Sequence, residues 1–308
     1  MARYVLRRLL QLVPVFLGTT FAIYALVWAL PGDPLAGKCG DRACPATYVA
    51  AMNAKYGLDE PVLVQYGRYL SGLARGDLGE TFSGVAVLDL VAAAYPVTLR
   101  LALVALLIEA LIGVTAGVLT GLRPAGFLDN LVLVATLFGV AVPVFVTGFV
   151  LQVGLGQGLG IIDPTVSPAA GFGELIVPGF VLGSLSMAYV ARLTRTSVAE
   201  NLRADHVRTA VAKGLSPRRV VGVHVLRNAA IPVVTVLGVD LGALMGGAIV
   251  TEGIFNIRGV GGLVYRAILT KEAATVTGVV VLLVIVYLVM NLLVDVLYAA
   301  LDPRIRYE

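Results

Sequence analysis

Charged residues are scarce in this sequence. They make up 14% of its 308 residues, and hydrophobic residues make up 58%, whereas an average soluble domain has about 25% charged residues. Water is therefore not the main solvent of this chain. The net charge of +4 does not indicate nucleic-acid binding, because the basic residues form no single patch and instead follow a membrane topology.

Sequence signatures of catalysis are also missing. The chain has no Gly-x-x-x-x-Gly-Lys-Ser/Thr phosphate loop, no His-Glu-x-x-His zinc motif and no Gly-x-Ser-x-Gly nucleophile turn. Nothing in it resembles an ion-selectivity filter. The two histidines, His206 and His224, lie across the membrane from the two cysteines in the topology derived below. We therefore expect no metal site, no bound cofactor and no enzyme activity in this chain.

Long apolar runs dominate the sequence. A helix needs about 20 mostly apolar residues to cross the hydrocarbon core, and these runs lack the polar alternation of a membrane strand barrel. The predicted fold is an all-α membrane protein with about six transmembrane helices. The predicted spans are Leu9–Leu30, Val97–Leu122, Leu131–Ile162, Leu175–Ala191, Asn228–Thr251 and Ala273–Val294. The first is long enough to be a retained span rather than a cleaved signal peptide.

Basic residues in the loops set the orientation of these spans. They precede the first span, follow the last and are concentrated between the fourth and fifth, so with six spans all three segments lie on one side, which should be the cytoplasm. Residues 31–96 then fall outside, where seven acidic residues outnumber five basic ones. We expect both termini in the cytoplasm. The predicted division is a first span with an extracytoplasmic cap, 1–96, and a transmembrane core, 97–302, with a cytoplasmic loop, 192–228.

The outer segment is too long for a simple loop, and we expect it to fold into a small cap. Val62–Ala74 is typical of a short helix, and Pro31-Gly32-Asp33-Pro34 is typical of a rigid turn. Cys39 and Cys44 lie in this segment on the oxidising side of the membrane. They could form a disulfide, and two free cysteines are the alternative.

The cytoplasmic loop contains a short amphipathic pattern. Apolar residues recur at helical spacing and form one face, namely Val207, Ala210, Val211, Gly214 and Leu215. Asp205 is the predicted N-cap, and Gly214 is placed to end the helix because glycine accepts left-handed geometry. Ser216 and Pro217 are typical of a new helix start. Such a helix could lie on the lipid surface or dock into a partner protein.

The same loop resembles a known family. Arg208–Gly214 followed by Arg227–Pro232 resembles the inner-loop signature of permeases from binding-protein-dependent ABC importers. That signature has Glu-Ala-Ala, three residues and Gly, and here Arg208-Thr209-Ala210 replaces Glu-Ala-Ala while Gly214 is kept. These departures resemble the dipeptide and oligopeptide branch, as do segments along essentially the whole chain: Tyr4–Arg8, Pro31–Pro34, Tyr56–Asp59, Gly76–Gly79, Thr251–Phe255 and Ala300–Arg304.

The resemblance implies a type I importer permease of the bacterial inner membrane. In that family two homologous permeases form the passage, two cytoplasmic ATPases drive it with ATP and Mg, and an extracytoplasmic binding protein delivers the substrate, here a di- or oligopeptide. The loop helix would be the coupling helix, with its apolar face buried in an ATPase cleft. The residues assigned to this coupling are Asp205, Val207, Arg208, Thr209, Ala210, Val211, Lys213, Gly214 and Leu215.

Charged residues within the spans are candidates for lining the passage. A carboxylate at the bilayer centre costs about 2.5–3.5 kcal/mol on insertion scales, so Asp240 and Glu109 should face the bundle interior or water. Asp240 could attract the amino terminus of a peptide, and a structural hydrogen bond or ion pair is the alternative for both carboxylates. Met245 could mark a constriction or simply pack closely. Arg100 and Glu252 lie nearer the predicted span ends, where they can snorkel.

An ion-coupled secondary transporter is the competing interpretation of the whole chain. Such proteins show internal repeats and broken helices around a central ion site. The two halves of this sequence show no clear repeat, and the chain has few intramembrane charges for ion coupling. The importer permease is therefore the favoured interpretation, with the lipid bilayer as its environment.

Overall fold

The computed structural model describes residues 2–28, 36–39, 44–245 and 248–301. The predicted Pro31–Pro34 turn, Gly246-Gly247 and the end of the closing segment from Asp302 onward lie outside this part of the chain. Within it the only strand pairing is an isolated bridge between Glu80 and Ala86, and the remaining regular structure is helical. The predicted all-α fold is confirmed.

Among the described residues, five helices are long and apolar enough to cross a membrane, and the number rises to six if one bent helix pair is counted as a single span. We number them span 1 to span 6 in chain order. Span 1 to span 6 are Leu6–Trp28, Val87–Leu122, Phe127–Ala141 with Val144–Gly158, Ile176–Leu202, Pro217–Met245 and Ala273–Val296. Shorter helices lie outside the spans: Ala36–Cys39, Ala46–Tyr56, Val62–Leu73, Asp205–Ala212, Ile249–Ile254 and Val260–Leu269.

All six spans differ from their predicted bounds, and three of them, spans 2, 4 and 5, differ by more than four residues. Span 2 begins ten residues earlier than expected, so Arg100 lies inside the helix rather than near its end, and its guanidinium donates hydrogen bonds to the carbonyl oxygens of Ala169 and Ala170 at 3.0 and 3.1 Å. Span 4 continues eleven residues past its predicted end at Ala191, to Leu202. Span 5 ends at Met245, before the predicted Thr251.

Span 3 is broken rather than continuous. Its two helices meet at an angle of 100°, and Val142 between them is extended, with φ −87° and ψ 122°. Pro143 follows Val142, and a proline ring disfavours helical geometry in the residue before it. Because the run has no charged residue, its hydropathy pattern does not indicate where the helix breaks.

Contacts divide the chain into two compact units, Met1–Leu99 with Met245–Glu308, and Arg100–Leu244. The first unit has a core of eight buried apolar side chains: Leu78, Val87, Val91, Ala94, Val260, Val264, Val279 and Leu283. In this unit the carboxylate of Glu252 is fully buried and accepts hydrogen bonds from Thr98 Oγ1 at 2.8 Å and the Gly262 N–H at 2.7 Å. The prediction that Glu252 snorkels was therefore wrong, and its burial raises the pKa of this carboxyl.

Glycines bring span 2 and span 4 close together in the second unit. Gly113, Gly117 and Gly121 are four residues apart, so they lie on one face of span 2. A Cβ on Gly117 would lie 2.5 Å from the carbonyl oxygen of Ala191 and from the Cβ of Thr194. Small residues of this kind let membrane helices approach at backbone distance.

The cap packs on the end of span 1. Its helices are Ala46–Tyr56 and Val62–Leu73, of which the second was predicted. Thr20 and Tyr66 share a hydrogen bond of 2.7 Å between their hydroxyls, and the ring of Phe21 packs edge-on against Tyr66 at 5.2 Å between centroids. Cys39 and Cys44 are joined by a disulfide, with their Cα atoms 5.4 Å apart.

Candidate functional site

The amphipathic helix of the cytoplasmic loop covers Asp205–Ala212. Ala204 is its N-cap residue, with extended backbone, and no side chain caps the helix. The prediction of Asp205 as the N-cap was therefore wrong by one position. As the first helical residue Asp205 still lies at the positive end of the helix dipole, and its oxygen is 3.4 Å from Arg208 Nη1.

Gly214 ends this helix as predicted. Its φ is +76°, its N–H donates to the carbonyl oxygen of Val211 at 2.9 Å, and the N–H of Leu215 donates to that of Ala210 at 3.3 Å. This pair of bonds is a Schellman motif, which needs a left-handed residue after the helix. Ser216 and Pro217 then begin span 5 at the cap and first helical positions, as their sequence indicated.

The apolar side of the helix packs against its own chain. Val207 and Ala210 are buried in a cluster with the end of span 4 and the start of span 5, formed with Val198, Val220, Val225 and Ala229. Leu215 is half-buried against the same cluster. The prediction that the whole apolar face enters a partner's cleft was therefore wrong for Val207 and Ala210.

The remaining face of the helix is open. Arg208 keeps 74% of its side-chain surface exposed and Val211 59% of its surface, and Thr209, Ala212 and Lys213 are exposed as well. His206 ties the helix to span 5, because its Nε2 lies 3.1 Å from the carbonyl oxygen of His224 and 3.2 Å from Asn228 Nδ2. The loop thus presents a charged, exposed face on a firmly held helix.

The structure brings the two intramembrane carboxylates, Glu109 and Asp240, together. Glu109 of span 2 is fully buried, immediately before a π-helical segment, Ala110–Val114. It interacts with the carboxyl group of Asp240 in span 5. Neither oxygen of Glu109 has a hydrogen-bond partner among the described residues. No sequence pattern pairs these two residues, because they lie on different helices.

Asp240 also lines a cavity of about 460 Å³ in the second unit. We call it the span 4–5 cavity. Its other lining residues are Val140, Leu185, Ser186, Tyr189, Arg192, Val236 and Val239. Met245 is not among them, and it lies about 140° around the helix from Asp240 at 100° per residue. The three predicted pathway residues therefore do not form one surface, although Glu109 and Asp240 are together.

One buried ion pair was not predicted from the sequence. Asp129, at the start of span 3, is 1% exposed and accepts two hydrogen bonds from the guanidinium of Arg195 in span 4, one of them from Nη2 at 2.7 Å. The Ala125 N–H donates a third bond to it at 2.7 Å. Arg195 falls within the predicted cytoplasmic loop 192–228, and no pattern connects it with Asp129, which lies 66 positions earlier in the chain.

We expect Arg195→Met to lower the thermal stability of the protein by several degrees, because it leaves a buried carboxylate without its cation. Replacing both partners, Asp129→Asn with Arg195→Met, should recover part of the loss. The measurement is the unfolding midpoint in detergent, with Arg203→Met as the exposed control. Equal midpoints for Arg195→Met and Arg203→Met would contradict a stabilising role for the pair.

Comparison with known proteins identifies the family. Residues 113–307 match the family described as binding-protein-dependent transport system inner membrane component, and residues 1–102 match the N-terminal family of the same components. The chain belongs to this family. It is therefore a membrane permease component of ABC importers, which is not itself catalytic, and the predicted family is confirmed over the secondary-transporter alternative.

Curated relatives match over the full length of both chains. The chain is 37% identical over 335 residues to the di/tripeptide transport system permease protein DppB of Pseudomonas aeruginosa (strain UCBPP-PA14). It is 34% identical over 334 residues to the dipeptide transport system permease protein DppB of Alkalihalophilus pseudofirmus. It is 35% identical over 338 residues to the protein of that name in Escherichia coli (strain K12).

Proposed function

We propose that this chain is a permease subunit of an ATP-driven importer of di- or oligopeptides and forms half of the passage. The observation that carries this proposal is full-length similarity to permeases named for dipeptides and di/tripeptides. The proposed partners are a second homologous permease, two cytoplasmic ATPase subunits that use ATP and Mg, and an extracytoplasmic binding protein. No cofactor is proposed for the chain itself.

The helix Asp205–Ala212 is the proposed coupling helix. It is buried on one side by span 4 and span 5 residues, so a displacement of the helix as a rigid body would move both spans. Its exposed charges, Arg208 and Lys213, are the groups we assign to contact acidic residues of an ATPase. Val211 and Thr209 complete the proposed contact surface.

The proposed orientation places both termini in the cytoplasm. Support comes from the concentration of basic residues between span 4 and span 5. In this orientation the cap and its Cys39–Cys44 disulfide lie outside, where disulfides persist. The division into a first span with cap, 1–96, and a transmembrane core, 97–302, remains part of the proposal.

A pull-down of the tagged chain from mild detergent tests the proposal. We expect a second permease and ATPase subunits to elute with it, and we expect peptide together with the binding protein to stimulate ATP hydrolysis by the eluate. Elution of the chain alone from intact membranes, with no ATPase activity, would contradict the importer assignment. The alternative to test in that case is ion-coupled transport.

A further inference from the structure

We infer that the span 4–5 cavity binds the peptide in transit by its two charged ends, with Asp240 holding the amino terminus and Arg192 the carboxylate. This inference deepens the proposed function and rests on it. It concerns a site within the permease, separate from the binding protein that delivers the substrate. A ligand of this cavity must be a zwitterion with apolar parts between its two charges.

The cavity has unpaired polar groups on a continuous surface. Ser186, Tyr189 and Arg192 lie three residues apart on span 4, which places them within about 120° of one another around the helix. No intrachain hydrogen bond or ion pair involves these three side chains in the described residues. Polar groups in a membrane span are costly unless they meet a partner or water. A ligand or ordered water is therefore expected among them.

A second carboxyl group, that of Glu109, lies beside Asp240 at the negative end of the cavity. Asp240 lines the cavity, and the fully buried Glu109 interacts with its carboxyl group without a hydrogen-bond partner of its own in the described residues. Two carboxyl groups held together in a medium of low dielectric constant repel strongly as anions. A cation at Asp240 would relieve this repulsion, and the ammonium group of a peptide has the required charge.

The offset along span 4 between the acidic pair and Arg192 is comparable with the length of a short peptide. A Cβ on Gly183 would lie 3.7 Å from the Cβ of Glu109, so the acidic pair lies near the level of Gly183 on span 4. Arg192 is nine residues further along, which corresponds to about 13 Å of helix axis. Its Cα–Cβ bond tilts toward the helix N-terminus, and therefore back toward the pair. An extended tripeptide covers about 10 Å at 3.3–3.6 Å per residue.

The rest of the cavity suits variable side chains. The walls carry Val140, Leu185, Val236 and Val239, which offer apolar surface and no directional hydrogen bond. Recognition by the two charges alone would therefore accept peptides of different sequence. A lipid with a zwitterionic headgroup shares the charges, but we commit to the peptide because the cavity has an acidic pair at one end and apolar walls between the charges.

The assignment of each charge is tested by combining modified substrates with variants of the protein. The assay is uptake into proteoliposomes that contain the complete transporter and binding protein, with trialanine, N-acetyl-trialanine and trialanine amide. Asp240→Asn should remove the wild-type preference of the permease step for a free amino terminus and keep the preference for a free carboxylate. Arg192→Gln should do the reverse. Each variant should lower trialanine uptake by about tenfold, the loss of one ion pair.

The results of this assay distinguish a failure of this inference from a failure of the proposed function. If the unaltered complex takes up no peptide, the proposed function fails. If it takes up peptide and both variants keep both wild-type preferences, only the inference is overturned. Arg203→Gln, an exposed change outside the cavity, is the matched control. Equal losses for every substrate in both variants would also overturn the assignment of charges.

A labelling experiment tests the site even if the charge variants do not fold. Among the described residues no cysteine is free, so Ser186→Cys introduces a single reactive thiol in the cavity, and Arg203→Cys gives an exposed control outside the spans. Trialanine should slow alkylation at position 186 several-fold and leave position 203 unchanged. Protection by phosphatidylethanolamine vesicles but not by trialanine would identify a lipid site and overturn the inference, as would no protection at all.

Discussion

Reversing both exposed charges of the proposed coupling helix, Arg208→Glu with Lys213→Glu, is expected to lower ATP-driven peptide uptake at least about tenfold. Like charges placed across an interface cost several kcal/mol, and acidic groups on the proposed ATPase partner would then face acidic groups here. The chain should still fold and insert, because both side chains are exposed and the buried Val207 and Ala210 are unchanged. The measurements are uptake, ATPase activity and the amount of chain in the membrane.

The matched control is Arg218→Glu with Arg219→Glu. It makes the same change in net charge at two exposed positions of the same loop, but at the start of span 5 instead of on the coupling helix. We expect it to keep most of the uptake. Normal uptake in the Arg208 and Lys213 variant would refute the coupling assignment, and an equal loss in the control would attribute the effect to the charge of the loop.

Leucine at Gly117 is expected to prevent stable folding. Its Cβ alone would lie 2.5 Å from the Ala191 carbonyl oxygen, and this oxygen belongs to the backbone of span 4 and cannot rotate away. Overpacking by a few carbon atoms costs about 1–3 kcal/mol where a side chain can adjust, and here the two helices must separate. Size-exclusion chromatography in detergent should show little monodisperse protein, with Gly117→Ala intermediate.

Gly18→Leu is the control for this substitution. Gly18 also lies in a membrane span, but a Cβ built on it has no neighbour within 4 Å. The change in size and hydrophobicity is therefore the same, without the close approach of a second helix. We expect a wild-type elution profile for Gly18→Leu. If the two variants elute alike, the glycine contacts of span 2 do not hold the spans together.

The spans were predictable because their signal is local. A run of apolar residues is sufficient to define a membrane helix, and Gly214 could be assigned to a helix end because left-handed geometry is a property of one residue. The bend at Pro143 also has a local cause, but it lies in a run without charged residues, which by itself predicts one continuous span.

The side-chain pairs could not be predicted from the sequence. Asp129 and Arg195 are 66 positions apart, and Thr98 and Glu252 are 154 apart, so no periodicity connects them. Hydrophobic periodicity placed Val207 and Ala210 correctly on the buried face of the proposed coupling helix, but Val211, predicted on the same face, is 59% exposed, and periodicity cannot tell what covers such a face. The surface that buries Val207 and Ala210 comes from the chain itself, through span 4 and span 5.

The packing of Val207 and Ala210 has a thermodynamic consequence for assembly. A segment that folds only on binding loses conformational entropy at that moment and binds more weakly for the same contact area. The proposed coupling helix is already held by its packing on span 4 and span 5 and by His206, so that entropy is lost when the chain folds. Association with the proposed ATPases would then cost little ordering, and movement of the partner would be transmitted to the spans instead of being absorbed by a flexible loop.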